Sequence, residues 1–216
     1  MKKATLFALP LLALALLFGS CSKDDDSSSS KTLNLEVSHE QVQGWLNLTM
    51  EDIDAQLTQL GYTRQNSLDN KAQDFTYYKG NQSSMTGYVC HFELQNDRVS
   101  NISVFYEAPE SLGTTINTFK KYAELQNQKY TSPLAEVGVL QFRDGEDVDS
   151  SRYFYNYPDF STALSNVGSH DYLDFAWYQD LQNCSVGTGA LFFSNEDFSV
   201  MMVGVIATKE HTVSRK

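Results

Sequence analysis

Hydrophobic side chains recur at helical spacing in two stretches of the chain. In residues 49–61, Thr49 precedes apolar residues at every third or fourth position, and Gly61 follows them. A threonine with Asp52 three residues later is typical of a helix capping box, and a glycine commonly ends a helix. The same spacing follows Pro109, and proline is favoured in the first turn of a helix. The pattern therefore predicts a helix in each stretch.

Eight short segments carry the alternating or continuous apolar pattern that is typical of strands. The second and third segments are separated by a short polar turn, which predicts a tight hairpin. A two-residue turn would set Leu94 opposite Val99 and Tyr88 opposite Phe105. The eight segments are residues 74–80, 87–94, 98–107, 138–142, 152–157, 172–179, 189–194 and 198–207.

Two of these segments carry information about their place in a sheet. In the sixth segment, Leu173, Phe175 and Trp177 alternate with Asp174 and its polar or small neighbours. One face of this strand is expected in the core, and the other is expected to be mostly solvated. The last segment is apolar on both faces, and its valines and isoleucine favour a strand over a helix. It is expected to be a central strand that is buried on both sides.

The order of the predicted elements is helix, three strands, helix, and then four or five strands. This order predicts an α+β fold in which helices pack on an antiparallel sheet. In outline it resembles the tandem helix-plus-sheet repeats of β-lactamase-inhibitor-protein-like folds over residues 48–207. The resemblance implies two unequal repeat halves, residues 33–108 and 109–208. A single α+β domain over residues 33–216 is the simpler alternative.

The N-terminus has the pattern of a secretory signal peptide. Met1, Lys2 and Lys3 provide a positively charged start, and an apolar run extends from Ala4 to Phe18. The run has 15 residues, which is fewer than the about 20 that a membrane-spanning helix needs. Residues 1–20 are therefore expected to be a cleaved signal peptide.

The segment that follows resembles a lipid attachment site. The four residues Phe18–Cys21 resemble a lipobox, and the acidic stretch Ser22–Asp26 resembles the export signal of Bacteroidetes-type surface lipoproteins. The resemblance implies that Cys21 carries the lipid and that the protein is located at the outer membrane, on the cell surface or on the periplasmic face. Residues 21–32 are rich in serine and aspartate, so we expect a flexible tether between the lipid anchor and the folded domain.

The charge of the chain limits its partners. The formal net charge is −11 at pH 7, and no basic cluster offsets it. An acidic surface repels the phosphate backbone of nucleic acids. The membrane is therefore expected as a partner through the lipid anchor, and nucleic acid is not.

Two cysteines remain once Cys21 is assigned to the lipid. An extracytoplasmic location permits a disulfide between Cys90 and Cys184. The alternative is that Cys90, in the middle of a predicted strand, is an unpaired buried thiol.

The histidines offer little support for catalysis. His170 and Asp171 are neighbours in a predicted loop, which is an arrangement suited to a base and its orienting carboxylate. No serine or cysteine stands in a nucleophile-elbow motif, so a small hydrolase that uses His170 is a minor alternative. His91 follows Cys90 directly, and neighbours on a strand point to opposite faces. His39 and His211 lie near the ends and are expected to be solvated.

No metal or cofactor is predicted from the spacing of ligands. The chain lacks the C-x-x-C and H-x-x-x-H spacings of zinc sites. The acidic residues of the Asp144–Asp149 segment have enough carboxylates for a calcium ion, but they do not match an EF-hand loop. A solvated hairpin tip is the simpler interpretation of this segment.

The last cluster of interest is aromatic. Tyr153, Tyr155 and Tyr157 alternate along a predicted strand and would project from one face. Tyrosine rings have an apolar body and a polar hydroxyl, so this row would suit sugar rings or a protein partner if it is exposed. Packing of the rings under a helix is the alternative.

Together these features predict a lipid-anchored cell-envelope protein that acts as a binding or interaction module and not as an enzyme. One alternative is a glycan-binding accessory lipoprotein that uses the tyrosine face. The other alternative is that the protein is a structural or inhibitory partner of another envelope protein. A broad apolar patch without a pocket would favour this alternative.

Overall fold

The computed structural model describes residues 33–65, 73–144, 147–195, 198–210 and 212. The expected signal peptide and tether, with Cys21, lie outside the described residues, and so does His211. Four α-helices and nine strands form within the described ranges. In chain order they are α1 (His39–Trp45), α2 (Met50–Gln59), β1 (Thr63–Arg64), β2 (Asp74–Asn81), β3 (Thr86–Gln95), β4 (Arg98–Ala108), α3 (Leu112–Lys129), β5 (Ala135–Asp144), β6 (Asp147–Phe154), α4 (Tyr157–Ser165), β7 (Tyr172–Asp180), β8 (Ser185–Ser194) and β9 (Ser199–Thr208).

Side-chain caps set where the two main helices begin. The Thr49 hydroxyl accepts a hydrogen bond from the Asp52 N–H, and the Asp52 carboxylate accepts one from the Thr49 N–H. The predicted capping box of α2 is therefore confirmed. Helix α3 begins at Leu112 because the Ser111 hydroxyl caps it. The prediction that Pro109 opens this helix was wrong, since Pro109 precedes the cap.

All nine strands of the described chain join one antiparallel sheet, which confirms the predicted α+β class. Their order is β1-β2-β3-β4-β9-β8-β7-β5-β6. Strand β9 is the middle strand, and most of its residues are buried. The prediction of a central strand buried on both sides is therefore confirmed.

The hairpin between β3 and β4 has the predicted tight turn but not the predicted register. The two turn residues, Asn96 and Asp97, have positive φ values of 54° and 58°. A two-residue turn that matches the twist of the strands requires such values. Leu94 pairs with Val99 as predicted. A bulge next to this pair then shifts the ladder, so Tyr88 pairs with Tyr106 and not with Phe105. A bulge adds one residue to one strand, which moves every later pair by one position.

The helices cover one face of the sheet. Helices α1 and α2 bury Trp45 and Ile53 against Phe92 and other residues of β2 to β4. Helices α3 and α4 bury Phe119 and Phe160 against the side chains that project from the same face of β7, β8 and β9. Two apolar clusters thus lie side by side under the helices.

The opposite face, which we call the helix-free face, has its own apolar cluster. No residue of the four helices belongs to it. Met85 follows a short 3-10 turn after β2, and Phe198 precedes β9, so the ends of two hairpins pack at this cluster. Its buried members are Tyr78, Met85, Val89, Phe105, Tyr172, Leu191, Val200 and Met202.

The expected repeat halves meet in one continuous sheet. Strands β1 to β4 lie on one side of the junction between β4 and β9, and the remaining strands lie on the other. Helices α1 and α2 precede the strands of the first half, whereas α4 lies between strands of the second. The repeat of one unit is not confirmed.

Candidate functional site

The register of β5 to β8 places polar side chains beside small residues on the helix-free face. Leu191 of β8 belongs to the cluster on this face, and residues that pair directly across a sheet share its face. One row across the sheet therefore contains Ser151, Gln141, Asp174 and Leu191. The next row contains Tyr153, Val139, Ala176 and Gly189, and a third contains Val137, Tyr178 and Gly187.

Glycines in β8 make room for side chains of neighbouring strands. A Cβ at Gly187 would lie 2.6 Å from Cδ1 of Tyr178, so the tyrosine ring lies directly on the glycine. A Cβ at Gly189 would lie 2.9 Å from Cδ1 of Ile206 and 3.4 Å from the ring of Phe105. Such close approaches leave no space for a larger residue. The floor between Tyr178 and Phe105 is therefore built from small residues.

Asp174 is the titratable group of this floor. Its side chain is half-buried, between Gln141 on one side and Leu191 on the other. Burial raises the pKa of Asp174 from 3.8 to about 7, and no hydrogen bond or positive charge among the described residues opposes this shift. Burial also raises the pKa of Tyr178, and the charge of Asp174 adds to the increase. The predicted solvated face of β7 was wrong, since Ala176 on this face is buried.

Further polar and aromatic groups lie on the same face as Asp174, in β5 and β6. The Gln141 side-chain amide donates a hydrogen bond of 2.9 Å to the Ser151 hydroxyl. The Tyr153 side chain, two residues after Ser151 on β6, is 47% exposed. We call the group of Asp174, Gln141, Ser151, Tyr153 and Tyr178 the Asp174 site. It combines a desolvated carboxyl, an amide, a hydroxyl and two aromatic rings around a floor of small residues.

The three tyrosines of the predicted row do not share one face. Tyr153 lies in β6, and Tyr155 follows the strand and is 66% exposed. Tyr157 begins helix α4, its hydroxyl donates to the Lys120 carbonyl, and its ring packs edge-on against Trp177. The strand ends before Tyr157, so the row is limited to two exposed rings. The prediction of a three-ring platform was wrong.

A second carboxyl of the helix-free face lies in β4. Glu107 is 4% exposed, and burial raises its pKa. It occupies the same row as Asp174, with Leu191 and Met202 between them. The Tyr78 hydroxyl is buried and finds no hydrogen-bond partner in the part of the chain that the structure describes, and its pKa is raised to about 12 by burial and by the charge of Glu107. The face therefore carries acidic groups at two places.

His170 is not near these carboxyls. Its ring stacks on Phe142 with a centroid distance of 5.0 Å. The Phe142 side chain packs with the apolar cluster under α3 and α4, on the face opposite Asp174. The arrangement of base and nucleophile that the hydrolase alternative needs is not found around His170 in the described part of the chain.

His39 is buried, contrary to the expectation that it is solvated. It is 5% exposed in α1, and its Nε2 lies 2.9 Å from the Thr188 hydroxyl. The Thr188 hydroxyl donates to the side chain of Gln126 in α3. Burial lowers the pKa of His39 from 6.5 to about 4. This histidine is therefore a neutral member of the polar contact between the helices and the sheet.

The two remaining cysteines are free and buried, so the disulfide considered from the sequence is not formed. Cys90 is 0% exposed, and burial raises its pKa. The Sγ of Cys184 accepts a hydrogen bond from the Gln43 side chain. Both thiols therefore belong to the apolar cluster under α1 and α2, as the alternative for Cys90 predicted.

One group of side chains in the described residues has the composition of a metal site. Asp74, His91 and Glu93 place one ligand atom each within 4.8 Å of one another. The sequence search missed this group because it tested zinc spacings within one segment, whereas Asp74 comes from the adjacent strand. The acidic side chains of the Asp144–Asp149 segment lie outside what the structure describes, so the solvated hairpin tip expected there stays a prediction and calcium binding stays its alternative.

No protein family, curated protein or solved structure matches this chain. The fold therefore defines its class as a mixed α+β protein with a nine-stranded antiparallel sheet. Among the helices of the described residues, none has the length and apolar character needed to cross a membrane.

Proposed function

We propose that this protein is a lipid-anchored envelope protein that binds a saccharide at the Asp174 site without catalysing a reaction. The anchor rests on the sequence around Cys21, and the binding site rests on the helix-free face. The observation that carries the proposal is the half-buried Asp174 carboxyl, which is partly desolvated and has no hydrogen-bond donor among the described residues.

A desolvated carboxyl without a donor destabilises the free protein. Moving such a group out of water without a hydrogen bond costs about 1–3 kcal/mol in proteins. A ligand that brings hydroxyl groups to Asp174 would supply the missing donors, and charge-assisted hydrogen bonds are about twice as strong as neutral ones. The site is therefore suited to a ligand that carries several hydroxyl groups.

The neighbours of Asp174 favour a sugar ring over other hydroxyl compounds. Tyr153 is half-exposed at the rim, and an aromatic ring can stack on the apolar face of a sugar. Gln141 and Ser151 add a donor and acceptors beside the carboxyl. Small-molecule sites commonly combine an apolar floor with a few placed polar groups, as the Asp174 site does.

A glycan array tests the proposal. The full chain is applied to the array together with Asp174→Asn and Tyr153→Ala. Asp171→Asn and Tyr155→Ala are the matched controls, since both residues are exposed and neither belongs to the Asp174 site. We expect saccharide binding by the wild type and both controls, and a loss of at least tenfold in both site variants.

Two outcomes would refute this proposal. An array without any bound saccharide would remove the ligand class and would favour a protein partner. Equal binding by wild type and Asp174→Asn would place the saccharide elsewhere on the protein.

A further inference from the structure

We propose that Asp74, His91 and Glu93 form a binding site for one divalent transition-metal ion, with zinc as the test ion. This site lies at the other end of the helix-free face and is independent of saccharide binding. It would hold the hairpin of β2 and β3 together at the position where these strands begin and end.

The hairpin register brings the three side chains together. Asp74 pairs directly with Glu93, and Thr76 pairs directly with His91. Residues two positions apart on a strand share a face, so all four side chains project from the same side of the sheet. This side is the helix-free face, because Val89 and Tyr78 belong to its cluster at the next positions along the two strands. The site therefore depends on the pairing of β2 with β3.

The distances suit a single ion. Zinc lies about 2.0–2.2 Å from nitrogen and oxygen ligands, so ligand atoms around a tetrahedral ion are about 3.4 Å apart. Nε2 of His91 lies 3.8 Å from Oε1 of Glu93. This distance is too long for a hydrogen bond but is close to that between two ligands of one ion. All three ligand atoms lie within 4.8 Å of one another, so small side-chain rotations would close the site.

The state of His91 is the second observation that points to an ion. Its Nδ1 lies 3.3 Å from the Thr76 hydroxyl, whereas its Nε2 is buried and has no hydrogen-bond partner among the described residues. If Nδ1 donates to Thr76, the lone pair of Nε2 points toward the two carboxylates. Metal-binding histidines usually donate their other ring N–H in this way. A buried ring nitrogen without a partner is unfavourable unless something binds it.

The carboxylates complete the donor set. Asp74 is 6% exposed, and its side chain has no hydrogen bond within the described residues. Oε2 of Glu93 accepts a hydrogen bond of 3.3 Å from the Asn101 side chain, which orients this carboxylate. One imidazole and two carboxylates suit zinc and neighbouring transition metals, and a fourth position stays open for water. A divalent cation would also neutralise the two opposed carboxylates, which otherwise repel each other across the strand pair.

Metal titrations of the full chain test this inference. Calorimetry with Zn²⁺ measures stoichiometry and affinity, and the visible absorption of bound Co²⁺ reports the coordination geometry. We expect one Zn²⁺ per chain and a Co²⁺ spectrum of low coordination number. Ca²⁺ should bind far more weakly, since calcium prefers six to eight oxygen ligands.

Variants distinguish this site from other metal binding. His91→Gln and Glu93→Gln should abolish stoichiometric binding, and Thr76→Val should weaken it about 10–100-fold by removing the contact to Nδ1. His170→Gln is the matched control, since His170 lies on the opposite side of the sheet and the variant should bind like the wild type. Circular dichroism confirms that each variant is folded. Absence of stoichiometric Zn²⁺ binding by the wild type, or unchanged binding by His91→Gln and Glu93→Gln, would overturn the inference.

Discussion

Two titratable groups with opposite effects on stability predict how unfolding depends on pH. His39 has a folded pKa of about 4 and an ordinary value of 6.5. Below pH 6.5 His39 is protonated in the unfolded chain but stays neutral in the folded protein. The free energy of unfolding therefore falls as the pH falls toward 4. One pKa unit corresponds to about 1.4 kcal/mol, so the total loss is about 3 kcal/mol.

Asp174 acts in the opposite direction. Its folded pKa is about 7 and its ordinary value is 3.8. Above pH 3.8 the unfolded chain releases a proton that the folded protein keeps, so stability falls as the pH rises toward 7. The total is at most about 4 kcal/mol, and solvent around this half-buried side chain reduces it. Between pH 4 and 6.5 the contributions of the two groups oppose each other.

Single substitutions separate the two contributions. The free energy of unfolding is measured by urea denaturation, followed by tryptophan fluorescence, in steps from pH 4 to 7. In Asp174→Asn only the His39 contribution to stability remains, so the free energy of unfolding of this variant should fall relative to wild type as the pH decreases. In His39→Gln only the Asp174 contribution remains, so the free energy of unfolding of this variant should rise relative to wild type as the pH decreases.

The prediction concerns differences in the free energy of unfolding between the proteins. The other titrating groups are common to all three proteins, so their contributions cancel in these differences. The difference in stability between the two variants should change by up to about 2.7 kcal/mol per pH unit between pH 4 and 6.5. If the free energies of unfolding of wild type and both variants change with pH in parallel, burial shifts the pKa of neither His39 nor Asp174 as the structure requires.

Three further predictions concern the stability of the fold. Thr49→Ala removes the cap of α2 and should reduce the free energy of unfolding by about 1 kcal/mol in urea denaturation; no change would mean that the cap is not formed in solution. Phe92→Ala should cost about 3–5 kcal/mol in the same measurement, because Phe92 is fully buried, while the exposed Tyr155→Ala should stay within about 0.5 kcal/mol. Alkylation without reductant, followed by mass spectrometry, should modify Cys90 only after denaturation; modification in the native protein would contradict its burial.

Local signals in the sequence were sufficient for several elements. The capping box at Thr49, the tight turn after β3 and the central strand β9 each depend on a few neighbouring residues or on one apolar run. Such features have a direct physical cause within the segment. They were therefore predictable without knowledge of the rest of the chain.

Features that depend on pairing between distant segments were not predictable in the same way. The bulge in the β3–β4 hairpin changes the register without a clear local signal. The strand with Tyr153 ends before Tyr157 because the Asn156 side chain caps helix α4. Asp174 has the pattern of a solvated position, and its desolvation follows from the neighbouring strands. The site of Asp74 and His91 likewise exists only through the pairing of β2 with β3.

The titration of Asp174 itself is the most direct test of the proposed binding site. Nuclear magnetic resonance of its side-chain carboxyl carbon follows the pKa in the free protein and with a saccharide identified on the array. We expect a pKa near 7 in the free protein and a lower value in the complex, because donated hydrogen bonds favour the charged carboxylate. A pKa near 3.8 in the free protein, or a pKa that the saccharide leaves unchanged, would contradict saccharide binding at Asp174.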